Sequence, residues 1–163
     1  MKGNPRSRKL TPTSWARLGI IGRQPLLWAA ISAGMAAFGG DRGRRASLRG
    51  TLCYLAGAAV GNLPKPLFSR PQPRHRWVRK PQVARGSFPS GHAAAEVAYV
   101  FGASMEQPVA FLPLSVVAMA GHASLVKAGK HYLSDTIVGG SLGIGVAAVA
   151  AKLWPPNGKA LRV

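Results

Sequence analysis

Residues 136–151 read TIVGGSLGIGVAAVAA and contain no charged side chain. Other stretches share this character: 24–40 and 50–64 have no charge, and 86–126 has only Glu96 and Glu106. The chain of 163 residues nonetheless carries 22 Lys and Arg against 4 Asp and Glu, a formal charge of +18, with 47% hydrophobic residues. Apolar segments joined by basic connectors are typical of a polytopic membrane protein, and this segregation argues against a soluble nucleic-acid-binding protein.

The apolar segments predict an all-α membrane helix bundle of about five spans. We expect the spans at about 24–40, 50–64, 89–105, 108–126 and 134–154. They form one membrane-embedded domain, 24–154, which follows a basic N-terminal tail, 1–23, and precedes a basic C-terminal tail, 155–163. The basic stretches 41–49 and 65–89 are interpreted as connectors outside the membrane.

Small residues at a spacing of four occur in the last span, where Gly139 pairs with Gly143 and Ser141 with Gly145. Such faces allow the backbones of neighbouring helices to approach closely in lipid, where no hydrophobic effect drives helices together. The pattern therefore predicts a compact bundle. The single cysteine, Cys53, lies in an apolar span and is interpreted as a buried packing residue.

Acids are rare in this chain, so the position of each one carries information. Asp135 follows His131 by four residues, in KHYLSD, where the last span begins. Residues four apart lie on one helix face, so the carboxylate can accept a hydrogen bond from the imidazole and make it a better nucleophile or base. The alternative is that Ser134 or Asp135 caps the N-terminus of that helix.

A second histidine, His92, lies in SFPSGH at the start of the third span. Pro89 suits the start of a helix, and Ser90 with the amides around Gly91 faces whatever lies beyond that end. The N–H groups and the dipole of a helix N-terminus bind anions. The alternative is that the short PSGH sequence marks an ordinary helix start.

The connector before this helix is rich in cations: Lys65, Arg70, Arg74, Arg76, Arg79, Lys80 and Arg85. Such a loop either sets membrane topology or clamps a phosphate. Spans three and four separate the two histidine segments, so both segments are expected on the same membrane face. A cationic clamp, a helix N-terminus with a histidine and an Asp-backed histidine together outline a phosphotransfer site.

The order of these motifs resembles the type 2 phosphatidic acid phosphatase family, whose three-part signature is K-x6-R-P, P-S-G-H and S-R-x5-H-x3-D. The matching residues are Lys65…Pro73, Pro89-Ser90-Gly91-His92 and Ser124…His131…Asp135. The stretch SFPSGHAAAEVAYVFGASMEQP is also similar to that of small actinobacterial members. The resemblance covers about residues 50–154 and implies a membrane bundle with its catalytic motifs at one membrane face.

The resemblance also implies a role for each matching residue. His131 is expected to attack phosphorus, Asp135 to orient it, and His92 to protonate the leaving alkoxide. Lys65, Ser90 and the Gly91 amide are expected to hold the phosphate oxygens. No metal or other cofactor is expected, because cations and amides neutralise the transition state.

Two arginines of the family signature are absent. The first position holds Gln72 and the second holds Leu125, in ASLVKAGKH. Candidates to reach the phosphate instead are Arg70, Arg74 and Lys127, and spacing does not select among them. Lys127 lies about 200° from position 125 around an ideal helix, so it points away if the helix continues.

Other titratable residues lie in or beside the spans. Glu96, four residues after His92, is expected to hydrogen-bond His92 or to pair with a connector cation, the alternative being a side chain that reaches the headgroups. His122 is expected to form a hydrogen bond between helices rather than to act in catalysis. Glu106 is placed in the short loop between spans three and four.

The expected function is metal-independent hydrolysis of a phosphomonoester or diphosphate on a membrane lipid, through a phosphohistidine intermediate. Phosphatidate, phosphatidylglycerol phosphate and polyprenyl phosphates all present a compatible headgroup. The alternative is a catalytically impaired relative that binds phospholipid or a phosphorylated ligand without efficient turnover. The absent arginines favour this alternative, whereas the intact His131, Asp135 and His92 oppose it.

The distribution of cations predicts the membrane orientation. The N-terminal tail and the loops on the expected active-site face hold 15 Lys and Arg, against 7 on the other face. The positive-inside rule then places the active site at the cytoplasmic face of the cell membrane.

Overall fold

The computed structural model describes residues 25–68, 70–73, 86–127 and 129–156. These residues form α1 (Pro25–Phe38), α2 (Gly40–Asn62), α3 (Gly91–Glu106), α4 (Phe111–Lys127) and α5 (Leu133–Leu153). Short 3₁₀ turns occur at Lys65–Leu67, after α2, and at Pro108–Ala110, before α4. No strand occurs in the described ranges, and the all-α prediction is confirmed. The predicted tail 1–23, most of the tail 155–163, and Arg74 lie outside them.

Helix α2 differs from its prediction because it begins at Gly40 rather than near residue 50. The stretch 41–49 is therefore helical, and its interpretation as a connector loop is wrong. The chain reverses between α1 and α2 within a single residue, Gly39, whose N–H donates to the Met35 carbonyl, while Gly40 has a left-handed φ of 59°. Only glycine adopts such a φ without strain, so the Gly39-Gly40 pair sets the hairpin.

The outer faces of the bundle are apolar, as a lipid-facing surface requires. Pro108–Lys127 and Leu133–Leu153 are long and apolar enough to cross a membrane, and α1 is a shorter apolar helix. Large side chains such as Leu112 (71% exposed) and Met119 (69% exposed) project outward from α4. Exposed apolar surface on this scale is typical of a membrane bundle rather than of a soluble domain.

Helix α3 lies at the centre of the bundle and contacts α2, α4 and α5. Its alanines are buried on several sides, including Ala93, Ala94, Ala98 and Ala103. The ring of Tyr99 on α3 packs at a tilted angle against that of Trp28 on α1, with ring centroids 4.9 Å apart. A helix surrounded by neighbours is apolar all round, and the alanine-rich sequence of α3 agrees with this position.

Glycines bring α2 and α5 into backbone contact with α3. A Cβ placed on Gly57 of α2 would lie 2.6 Å from the Ala94 carbonyl oxygen, and one on Gly143 of α5 would lie 2.5 Å from the same atom. The predicted close-packing role of Gly139 and Gly143 is therefore confirmed. The paired prediction for Ser141 and Gly145 is wrong, because both are exposed and Gly145 has open space beside it. Cys53 is buried, as predicted.

These contacts also set which helix ends meet. Gly61, near the end of α2, abuts Gly91 at the start of α3, so the two helices are antiparallel. Gly139, in the second turn of α5, abuts Ser90 just before α3, so α3 and α5 begin on the same side. The end of α2 and the first turns of α3 and α5 therefore converge at one end of the bundle.

We expect Gly143→Ala to destabilise the bundle by about 1–3 kcal/mol, because the added methyl group would collide with the α3 backbone. Unfolding in a denaturing detergent measures the change. The matched control is Gly145→Ala on the same helix, where the methyl group meets no atom within 4 Å. Equal stability of the two variants would contradict the close-contact role of Gly143.

Candidate active site

Chain segments from three places meet where α3 and α5 begin. The Ser90 N–H, just before α3, donates to the Asp135 carbonyl in the first turn of α5 at 3.1 Å. The Ser87 N–H donates to the Arg70 carbonyl at 2.9 Å, which ties the connector after α2 to the segment before α3. The predicted histidine motifs and the described part of the connector are thus together in space.

His131 lies in the turn before α5 and is held by a backbone carbonyl. Its Nδ1 lies 2.9 Å from the Ser87 oxygen, and the side chain is largely buried. A carbonyl oxygen only accepts hydrogen bonds, so Nδ1 carries the proton and donates it. The neutral ring therefore has its lone pair on Nε2, which is the atom able to act as a nucleophile.

Asp135 has partners other than His131. Its Oδ2 accepts the Tyr132 N–H at 2.8 Å, which caps α5, whereas His131 Nδ1 lies 3.8 Å from that same oxygen. The separation from His131 exceeds a hydrogen bond. The N-cap of α5 is therefore Tyr132 rather than Ser134 or Asp135, and Asp135 contributes to the cap from the third helical position. The hydrogen bond to His131 is made by Ser87 instead. The negative charge of Asp135 still acts on the imidazole at this distance.

Arg70 is the described arginine that reaches this cluster. Its Nη1 lies 2.8 Å from Asp135 Oδ1 and donates to the Ser134 hydroxyl at 3.0 Å. The guanidinium stacks on the Tyr132 ring, 4.2 Å from its centroid. Spacing alone did not select Arg70 over the other cations, and the structure brings it to the site. Its side chain remains 40% exposed, so a ligand has access to it.

The start of α3 carries the second histidine motif. Ser90 is fully buried and its hydroxyl accepts the Ala93 N–H at 3.3 Å, so it is the N-cap of α3. Gly91 and His92 are the first helical residues, at the end where a helix presents its N–H groups and positive dipole. Lys65 lies in the 3₁₀ turn after α2, close enough for its charge to act on His131.

Burial lowers the pKa of His131 below its ordinary value, and the positive charge of Lys65 acts in the same direction. The hydrogen bond to Ser87 and the charge of Asp135 oppose these effects without cancelling them. The imidazole is therefore neutral at pH 7, with its Nε2 lone pair unprotonated.

A sequence model of the PAP2 superfamily matches residues 48–159, more than half of the chain. The chain belongs to the PAP2 superfamily. Its fold is also similar to the crystal structure of a transmembrane PAP2-type phosphatidylglycerolphosphate phosphatase from Bacillus subtilis, with a TM-score of 0.61. That alignment has 19% identity and covers 85% of this chain and 74% of the other, a likeness that shows the fold. A comparison with curated protein sequences gave no match.

This PAP2 chain has a buried contact between a glutamate and a histidine whose partners were predicted incorrectly from the sequence. Glu96 on α3 is 1% exposed, and its Oε2 lies 2.9 Å from His122 Nε2 on α4. Glu96 was expected to bond His92 or a connector cation, whereas the structure places it against His122. The interhelical role predicted for His122 agrees with this contact. Both residues are titratable groups within apolar helices. Because such groups in a membrane bundle tend to pair with one another, this feature could have predicted the contact.

A buried ion pair lies at the end of the bundle opposite to the candidate active site. Arg49 of α2 is fully buried, and its Nε donates to Glu106 Oε1 at 3.0 Å. The Arg49 guanidinium also donates to the Trp154 carbonyl at 2.6 Å and stacks on the Trp154 ring. Glu106 is therefore not a plain loop residue: it ends α3 and is buried against α2. No sequence motif marked this pair, because both residues lay in stretches interpreted as loops.

Metal-binding donor sets are absent from the described residues: no three His, Cys, Asp or Glu side chains there come together in a group that could hold a metal ion.

We expect His131 to titrate below 6.5, its ordinary pKa. The unfolded chain then binds more protons between the folded pKa and 6.5, so this group makes stability rise with pH across that window. NMR of histidine-labelled protein in detergent measures the titration, and His131→Gln assigns the signal. In the unfolded protein, the pKa of His131 should return to its ordinary value. A midpoint at or above 6.5 in the folded protein would show that burial does not dominate.

Proposed function

We propose that this chain hydrolyses a phosphomonoester or diphosphate on a membrane lipid, without a metal ion and through a phosphohistidine intermediate. The observation that supports the proposal best is the Ser87 carbonyl, which accepts the His131 Nδ1–H and leaves Nε2 as the nucleophile. This nitrogen belongs to a largely buried histidine in a membrane bundle of the PAP2 superfamily. Membership in that superfamily supports a phosphoric ester hydrolase as the class of activity.

The proposed reaction has two steps. His131 Nε2 attacks phosphorus, so that a P–N bond forms and the bond to the lipid oxygen breaks, while His92 gives its proton to the leaving alkoxide. Water then attacks phosphorus, the P–N bond breaks, and a proton of that water returns to His92. Phosphate leaves and His131 is again neutral.

The phosphate oxygens are proposed to be held by positive groups around the two helix starts. Lys65 and Arg70 supply charge from the connector, and Ser90 with the Gly91 amide supplies the start of α3. Arg74, the other connector candidate, lies outside the described residues. Arg70 is bound to Asp135 in this structure, so a phosphate would compete with or join that ion pair. Asp135 is proposed to position the turn that carries His131 by capping α5.

A specific observation favours the impaired alternative. Leu125, where the family signature has an arginine, is 3% exposed and has no donor group. Lys127 is exposed whereas Leu125, on the same helix, is buried. The two side chains therefore lie on different faces, as their separation of about 200° around the helix predicts. If the missing arginine limits catalysis, Leu125→Arg should raise turnover in the otherwise natural chain.

The test of the proposed activity is phosphate release by purified protein from phosphatidate, phosphatidylglycerol phosphate and a polyprenyl phosphate. We expect release to survive EDTA and to be abolished in His131→Ala. The His131→Ala protein must retain its detergent elution volume. Tight binding of these lipids with no release by the natural chain would establish the impaired alternative instead.

The role of His92 has its own test. A general acid matters most for a poor leaving group, so His92→Ala should slow an alkyl phosphate more than a nitrophenyl phosphate. We expect a difference of about 10²-fold or more between the two substrates. Equal losses on both substrates would count against proton donation by His92.

The active site is proposed to face the cytoplasm, since the more basic loops adjoin it. In a Cys53→Ala background, Lys80→Cys should resist an impermeant thiol reagent in intact cells. Asp41→Cys is the matched probe, because Asp41 is exposed at the other end of the bundle and should label readily. Labelling of Lys80→Cys with protection of Asp41→Cys would place the site at the outer face of the membrane.

A further inference from the structure

An apolar groove of about 690 Å³ runs between α2 and α5 on the outside of the bundle. The side chains along it include Leu52, Cys53 and Ala56 from α2, with Gly145, Val146 and Val149 from α5. Gly145 keeps the groove open, because a Cβ placed there would meet no atom within 4 Å. The volume is in the range of sites that bind small molecules, about 300–1,000 Å³.

The groove has the length of one membrane leaflet. Along α2 it extends from Arg49 to Val60, which is about 17 Å at the helical rise of 1.5 Å per residue. The hydrocarbon core of a bilayer is about 30 Å thick, so each leaflet contributes about 15 Å. At the Arg49 end, α3 finishes at Glu106 and α5 finishes next to Trp154, and Arg49 contacts both residues. This end therefore lies at the membrane surface opposite to the candidate active site.

Arginines of α2 make this end of the groove positive. Arg49 lines the groove and shares a carboxylate with Arg45: their Nε atoms donate to the two oxygens of Glu106 at 3.0 and 3.2 Å. Arg42 precedes Arg45 by three residues, so the two are neighbours on the helix surface. Arginine stays protonated in proteins, and Glu106 offsets at most one of the three charges. A net positive charge therefore remains along this face of α2.

The positive charge belongs to one face of the helix and is open to the membrane surface. On an ideal helix, Arg42 and Arg45 lie within about 40° of Arg49, whereas Arg44 lies about 140° from it. Arg44 is instead 3.7 Å from Asp41, and both side chains are exposed. Arg42 is exposed and the Arg45 side chain is 34% exposed, so a ligand has access to both. Arginine has five N–H donors, so the Arg45 bond to Glu106 leaves donors for a phosphate.

We propose that the groove binds an anionic phospholipid of the leaflet opposite to the candidate active site. Its headgroup phosphate lies at Arg42 and Arg45, and one acyl chain lies between α2 and α5. Charge complementarity selects this occupant over a second copy of the chain. In a twofold dimer within one membrane, both copies would bring the same arginines together at the same depth. The proposal does not depend on hydrolysis at the candidate active site.

The experiment measures lipid binding to the purified chain in detergent by native mass spectrometry. Phosphatidylglycerol and phosphatidylcholine with identical acyl chains are compared. Both are phosphodiesters, so neither carries the phosphomonoester or diphosphate on which the proposed activity acts. Each basic residue near a membrane surface strengthens binding of anionic lipid about fivefold. With two such residues, we expect the natural chain to bind phosphatidylglycerol at least about tenfold more tightly than phosphatidylcholine.

Substitutions at the positive end test the headgroup contact. Arg45→Gln should lower the affinity for phosphatidylglycerol about fivefold and that for phosphatidylcholine less than about twofold. Arg45→Lys keeps the charge and should retain the affinity within about twofold. The matched control is Arg44→Gln, which removes the same charge from another face of the same helix and should change the affinity less than about twofold.

A substitution in the apolar part tests the acyl-chain contact. Gly145→Leu places a side chain in the groove and should lower the affinity for phosphatidylglycerol at least about fivefold. The matched control is Gly34→Leu on α1, where an added Cβ also meets no atom within 4 Å and where the groove does not extend. This control should bind phosphatidylglycerol as the natural chain does.

Three outcomes would overturn the proposal: equal affinity of the natural chain for the two lipids, equal losses in Arg45→Gln and Arg44→Gln, or unchanged binding in Gly145→Leu. A dimer of the natural chain that Gly145→Leu dissociates, with lipid binding unchanged, would identify a second copy as the occupant. If Arg45→Gln does not fold, Arg42→Gln takes its place against Arg44→Gln, with the same expected difference.

Discussion

Backbone contact between α3 and its neighbours on two sides is the constraint on which the site depends. Helices in lipid gain little from burying apolar surface against one another, so close van der Waals packing must hold them. Gly57 on α2 and Gly143 on α5 both face the Ala94 carbonyl, so two helices pack closely against the same turn of α3. Because α2 ends and α5 begins at the level of the α3 N-terminus, these helix contacts also bring Lys65, Ser90 and Asp135 together.

Three acidic side chains are buried at successive depths of the bundle, and each lies beside a basic side chain. Arg49 with Glu106 joins α2 to the end of α3, and Glu96 with His122 joins α3 to α4. Arg70 with Asp135 joins the connector to α5 at the end of the bundle that holds the candidate active site. Arg49 and Glu106 are almost fully buried, so an unpaired charge on either side chain would cost several kcal/mol. The pairs thus fix which helices are neighbours as well as how deep each side chain lies.

The imidazole of His131, the proposed nucleophile, is hydrogen-bonded to a backbone carbonyl rather than to the acid four residues on. Ser87 donates from its N–H to the Arg70 carbonyl and accepts from His131 Nδ1 with its own carbonyl, so one residue links the connector to the imidazole. Asp135 is occupied by Tyr132 and Arg70 on its two oxygens.

The sequence by itself determined the class of fold, the approximate positions of the apolar helices and the family. Charge-free stretches and the spacing of His92, His131 and Asp135 are local properties, readable without knowing which helices touch. The partners of Glu96, Arg49 and Asp135 were decided only by the tertiary structure, because each contact joins residues on different helices or loops. The same holds for Ser87, whose contribution is a backbone carbonyl: every residue has one, so no side-chain pattern distinguishes it until the chain is folded.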